Sequence, residues 1–185
     1  MYQHKQTREN YNIKIEFING YLTSIAKLKD KLSKYLSHTY FFEELPKNGQ
    51  NLSDVVIKRI TNLMDSFYKS NPTWTYDKEL YEHQFQNGMN FQKPEKWKQD
   101  LGTNAKNWLS LNSEEHQINY PVKDCLIENF IELIEDFFNN ENFKMYLMEG
   151  EILNELYHHW GGIGYQDFFF ETKEKIYLLH FEYCD

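Results

Sequence analysis

Apolar residues along this chain change their spacing once, near residue 140, from steps of three and four to alternation. Ile15, Ile18, Leu22, Ile25, Leu28, Leu32 and Leu36 form a helical stripe, with Lys27, Lys29, Lys31 and Lys34 on its wetter sides. Tyr11, Ile13, Ile15 and Phe17 also alternate with Asn12, Lys14 and Glu16, and Asn19-Gly20 offers a turn. Residues 11–17 therefore read as strand or helix, while 21–36 is helix on either reading. Turn residues mark 46–50 as a loop, after which Ser53 is the expected N-cap of a helix buried through Val56, Ile60, Leu63, Met64 and Phe67. That helix ends at Asn71-Pro72, because a residue before proline avoids the α region.

Trp74 and Tyr76 fit an extended piece, and Asp77 caps a short helix through Phe85 that Asn87-Gly88 closes. Pro94 suits the first turn of a helix carrying Trp97, Leu101, Trp108 and Leu109, with Gly102 as a weak point in its middle. The clearest helix is 121–139, where Val122, Cys125, Leu126, Phe130, Ile131, Ile134, Phe137 and Phe138 recur at helical spacing after Pro121.

Beyond Asn139-Asn140 the segments 143–148, 151–160, 165–172 and 175–184 are short and aromatic, and Glu149-Gly150, Gly161-Gly162 and Thr172-Lys173-Glu174 separate them. They predict an antiparallel meander. In the last, Tyr177, Leu179, Phe181 and Tyr183 face one way and Ile176, Leu178 and His180 the other; apolar groups on both faces predict an inner strand. The expected fold class is α+β, with N-terminal helices packed on one face of a C-terminal antiparallel β-meander.

Length and composition add bounds. A chain of 185 residues suits one domain spanning 1–185, and folding at this size buries about 70% of the unfolded surface, enough for a core without disulfide or metal. Mean hydropathy is −0.76, yet 17% of residues are aromatic, so aromatic rings are expected to dominate the core. Lys and Arg number 20 against 28 Asp and Glu, a formal charge of −8 that argues against nucleic-acid and anionic-membrane partners. The first residues lack the apolar stretch of a secretory signal, and no apolar run approaches the ~20 residues of a membrane span. Cys125 and Cys184 have no CxxC partner and read as structural. A cytoplasmic protein without cofactor or structural metal is the expectation.

Three features bear on chemistry. The run His158-His159-Trp160-Gly161-Gly162-Ile163-Gly164-Tyr165 has glycines that would let a ligand approach backbone, but strand-like residues follow and no Lys-Ser/Thr pair is present, so it is not a phosphate loop. A glycine-bearing hairpin or bulge is the expected structure. Second, His158, His159, Asp167, His180, Glu182 and Cys184 all lie in the expected sheet, an alternative ligand or acid–base site. Adjacent histidines point to opposite faces of a strand, so at most one of His158 and His159 shares a face with His180. No HExxH spacing supports a metal site.

Third, Glu128, Glu132, Glu135 and Asp136 share one face of the clearest helix opposite its apolar stripe, where no nearby lysine is expected to offset their repulsion. A solvated surface is the ordinary reading of such a face; a landing site for a basic partner is the functional one. Glu114, Glu115, Glu149, Glu151 and Glu155 are candidates to extend it. No motif names a reaction, so a protein-binding module ranks above an enzyme. Immunity proteins and antitoxins that occlude a basic toxin are the concrete class, and an enzyme or ligand binder built on the sheet histidines and the glycine-rich turn is the alternative.

Overall fold

A computed structural model of the chain describes residues 2–33, 35–71, 73, 78–111, 122–139, 141–149 and 162–184. Its elements run α1 (Tyr2–Leu32), β1 (Ser37–Leu45), α2 (Leu52–Ser70), α3 (Lys78–Gly88), β2 (Asn90–Gln92), α4 (Trp97–Leu109), α5 (Val122–Phe138), β3 (Lys144–Glu149), β4 (Gly162–Glu171) and β5 (Ile176–Cys184). The strands form one antiparallel sheet in the order β1-β5-β4-β3-β2. The fold is α+β.

Residues 11–17 are helical, which settles the two readings of that segment. Ile18, Leu22 and Ile25 are buried against the sheet, and the burial available to a helical stripe outweighs alternation over seven residues. Lys29 is not on a wet side: its Nζ donates to the carbonyls of Asn107 and Trp108 at 2.8 and 3.0 Å, where burial pulls its pKa down to about 8. Asn51, not Ser53, caps α2, accepting from the Asp54 N–H at 2.9 Å. Asn139 closes α5 in the left-handed conformation (φ 42°), after which the chain turns into β3.

The meander expected at the C-terminus is present as β3, β4 and β5; residues 151–160, the fourth expected strand, lie outside the described residues. Two strands come from earlier in the chain. β1 pairs with β5 along its whole length, Ser37 opposite Cys184 and Leu45 opposite Ile176, so β5 is an inner strand as its two apolar faces require.

Helices cover both faces of the sheet, not one. On one side α1, α4 and α5 pack onto Tyr40, Phe42, Phe168, Phe170, Tyr177, Leu179 and Phe181. On the other, α2 and α3 pack onto Leu45, Met148, Phe169, Ile176 and Leu178. Gly102 is where α4 meets α5: a methyl group there would stand 3.2 Å from Ile131 Cδ1 and 3.6 Å from Ile127 Cγ2. The weak point in helix propensity permits a close helix–helix approach.

Candidate functional site

Among the described residues, two of the places that combine charge with access lie on opposite sides of the sheet. The first is the outer surface of α1 and α5. α5 buries Phe130, Ile134 and Phe137, so helical geometry turns Glu128, Glu132, Glu135 and Asp136 outward, and all four are exposed. Lysines do stand close, contrary to the sequence reading, because other helices supply them. Lys98 of α4 pairs with Glu135 at 2.5 Å, and Lys14 of α1 donates to the Asp136 carbonyl at 2.7 Å. Glu149 ends β3, paired with the edge strand β2 and accepting from Gln92 at 2.5 Å; Glu114, Glu115, Glu151 and Glu155 lie outside the described residues.

Beside the acidic residues, α1 leaves two large apolar side chains in water: Ile13 is 62% exposed and Phe17 67%. With Leu133, Asp136 and Phe137 they line a shallow groove of about 290 Å³ between the two helices. The sequence reading named both only as apolar positions of an alternating pattern and not as site residues, although they are surplus to the stripe that buries Ile18 and Leu22.

The second place is in the sheet. Register sets Asp167 of β4 opposite His180 of β5, and His180 Nδ1 lies 2.5 Å from Asp167 Oδ1 with both residues buried. Glu182 Oε2 is 3.6 Å from His180 Nε2, and Phe41 of β1 stacks on the imidazole at 4.7 Å between centroids. Burial opposes the imidazolium, but the charge and hydrogen bond of Asp167, helped by Glu182, overcome it and hold the His180 pKa up at about 9. Burial and the Asp167 charge push the Tyr165 phenol upward. Above this cluster runs a groove of about 530 Å³, walled by Phe41 and Glu182 of the sheet and by Arg59, Leu63 and Phe67 of α2. Arg59 is matched by Glu43, at 2.7 Å from Nη2 and 2.9 Å from Nε, and its guanidinium lies 5.7 Å from the centre of the Phe41 ring.

Of the alternative site read from sequence, Asp167 and His180 come together. Gly162 opens β4 opposite Cys184, while His158, His159, Trp160 and Gly161 lie outside the described residues. Among the described residues no three His, Cys, Asp or Glu side chains are placed to hold a metal ion. Cys125 is exposed on α5, not part of its apolar face, and Cys184 Sγ lies 3.0 Å from Ser37 Oγ.

The register shift between Gly162 and Gly164 is the bulge the glycines suggest. The Tyr183 ring lies across Gly164, where an added Cβ would fall 2.5 Å from Cε1. Gly164→Ala should therefore cost about 1 kcal/mol of stability by overpacking, and the cost should vanish in a Tyr183→Ala background. Urea midpoints of the four variants measure it; an equal cost in both backgrounds would clear the ring of responsibility.

Arg59, Glu43 and Phe41 were missed because they meet His180 only through β1 and α2, elements separated from it by more than 100 residues.

No family model and no curated protein matches the chain. Among solved structures, two crystal forms of citrus MAF1 align with it over 89% of this chain and 98% of that one, at 13% identity, with TM-scores of 0.46 and 0.41. A likeness of that size assigns this chain neither family nor function.

Proposed function

We propose that this protein is a binding module that docks a basic protein partner on the surface made by α1 and α5, in the manner of immunity proteins and antitoxins that occlude a cationic toxin. One observation carries the reading: exposed Ile13 and Phe17 flank an apolar groove whose charged rim is Asp136, one turn from Glu132, with Lys14 bonded to the Asp136 carbonyl and so partly engaged. Large exposed side chains with an apolar floor and a charged rim are the anatomy of an interface, in which apolar anchors hold the partner and rim charges steer it. A formal charge of −8 extends that steering to the whole molecule.

The test is kinetic. Partners recovered with the tagged protein from a lysate of its source organism are compared for association and dissociation at low and high salt. Glu132→Lys with Asp136→Lys should lower the on-rate about tenfold at low salt and flatten its salt dependence, while Phe17→Ala should leave the on-rate near wild type and raise the off-rate about tenfold or more. Stability should move by less than about 0.5 kcal/mol in each, because these groups are solvated. Kinetics that ignore salt and both variants would leave α1 and α5 an ordinary wet surface.

A second reading, a small-ligand binder, is favoured by the Asp167–His180 pair beneath an open groove. Structural buried ion pairs are costly, since each charge loses several kcal/mol of hydration.

A further inference from the structure

We propose that a second copy of this chain docks on the exposed face of α1, the two helices packing antiparallel across Gly20 about a two-fold axis. The pairing needs no other partner, and only its consequence for a basic partner rests on the α1–α5 docking reading.

α1 carries two stripes. Ile18, Leu22, Ile25 and Ala26 are buried, whereas positions 13, 16, 17, 20, 23, 24, 27, 28 and 31 are exposed and recur at helical spacing, a second stripe about 27 Å long. Large apolar side chains stand at both ends of it, Ile13 and Phe17 at one and Leu28 at the other, with small residues between them. A Cβ added to Gly20 would meet nothing within 4 Å, so no contact inside this chain requires the glycine, although glycine is unfavourable inside a helix. Ser24 donates back to the Gly20 carbonyl at 2.8 Å, so a surface closing over it leaves its hydroxyl satisfied. Gly20 and Ser24 make a saddle that a second helix can approach closely.

What fits the saddle is the same face turned round. An antiparallel pair crossing at Gly20 sets Ile13 of one copy against Leu28 of the other and Phe17 against Ser24, large against small, and the two-fold axis makes each contact twice. The charges agree with that direction. Glu16 of α1 and Asp136 at the groove edge stand at the Ile13 end, where Lys14 is held by the Asp136 carbonyl. Lys27 and Lys31 stand exposed at the Leu28 end, where Asp30 is taken by His38. Among the described residues the ion pairs engage none of Glu16, Lys27 and Lys31. A parallel pair would set the lysines of the two copies against each other; the antiparallel one lays them over the acidic end. The formal charge of −8 on each copy opposes association at long range, and the contact is short, so a dissociation constant on the order of 50 μM is expected. By covering Ile13 and Phe17 the pair holds back the anchors of the docking surface until a tighter basic partner displaces the second copy.

Sedimentation equilibrium of the full chain from about 5 to about 500 μM should show the mass rising from 22.5 kDa towards twice that value. Gly20→Gln, a better helix former whose side chain meets open space in a single copy, should leave the urea midpoint no lower and weaken pairing about tenfold or more. Glu16→Lys and Lys27→Glu should each weaken it several-fold, and the two together in one chain should restore it, a rescue that only contact between opposite ends gives. A mass of 22.5 kDa throughout, or a dimer indifferent both to Gly20→Gln and to the charge swap, would overturn the pairing. A monomer that still captures a basic partner with salt-dependent kinetics would strike the pairing alone, and a dimer that obeys these variants while no such partner binds would strike the docking alone.

Discussion

Phe181→Ala is expected to lower stability by about 3–5 kcal/mol, the usual range for a buried aromatic ring truncated to alanine. The ring is fully buried in β5, edge-on to Tyr40 at 5.0 Å and Phe168 at 6.2 Å, and stacked on Trp108 at 5.7 Å. The cost of a cavity depends on how far its walls can collapse, and here hydrogen bonds fix them. Tyr40 donates to the Trp108 carbonyl at 3.0 Å, and Trp108 Nε1 donates to Gln166 Oε1 at 2.7 Å. Tryptophan fluorescence during urea unfolding reads the loss directly. An unchanged midpoint would mean that the Phe181 ring contributes nothing to the core between β5, Tyr40 and Trp108.

The second large effect is electrostatic, and its sign is specific. His180 has a pKa near 9 in the folded protein against 6.5 for a free histidine. A raised folded value means that the stabilisation is fully present below pH 6.5 and is lost as pH climbs through 9. At about 1.4 kcal/mol per unit the window is worth on the order of 3 kcal/mol. Lys29 works in the opposite sense: with its pKa lowered to about 8, its burial penalty is relieved between pH 8 and 10.5, so the net decline is steepest between 6.5 and 8. Asp167→Asn removes the partner that holds the imidazolium, and burial then disfavours the charged ring. That variant should lose about 3–5 kcal/mol at neutral pH, the cost of breaking a buried pair from one side, and its stability should no longer fall between pH 6.5 and 8. Urea midpoints of both proteins at several pH values are the measurement. Parallel curves would remove the pair from the stability of the fold.

These two side chains show unequally how much was legible beforehand. Phe181 was placed correctly by period-two alternation, because burial on one face of a strand is a local property of spacing. His180 was placed on the opposite face by the same rule. What surrounds it was not local: Asp167 meets it through the β4–β5 register, Phe41 through pairing with a strand more than 130 residues earlier, and Arg59 through the packing of α2. β1 itself went unread, since its buried Tyr40 and Phe42 alternate within a segment bounded by Ser37, Glu43 and Glu44 whose signal is too short to stand alone.

The acidic face of α5 divides in the same way. Helical periodicity dictated that Glu128, Glu132, Glu135 and Asp136 point outward together, but the lysines that temper them belong to α1 and α4, and the exposed Ile13 and Phe17 matter only because α1 lies beside α5. By itself the sequence determined the α+β class, the helices of α2 and α5 and the two faces of β5, and it narrowed the glycine-rich run to a hairpin or a bulge, all of which depend on neighbours within one or two turns or pleats. Tertiary structure alone decided that helices cover both faces of the sheet, that α1 is helical from its start, and that a buried imidazolium lies between two carboxylates beneath a groove. Those outcomes rest on which long-range burial is the more favourable, and no local spacing encodes that comparison.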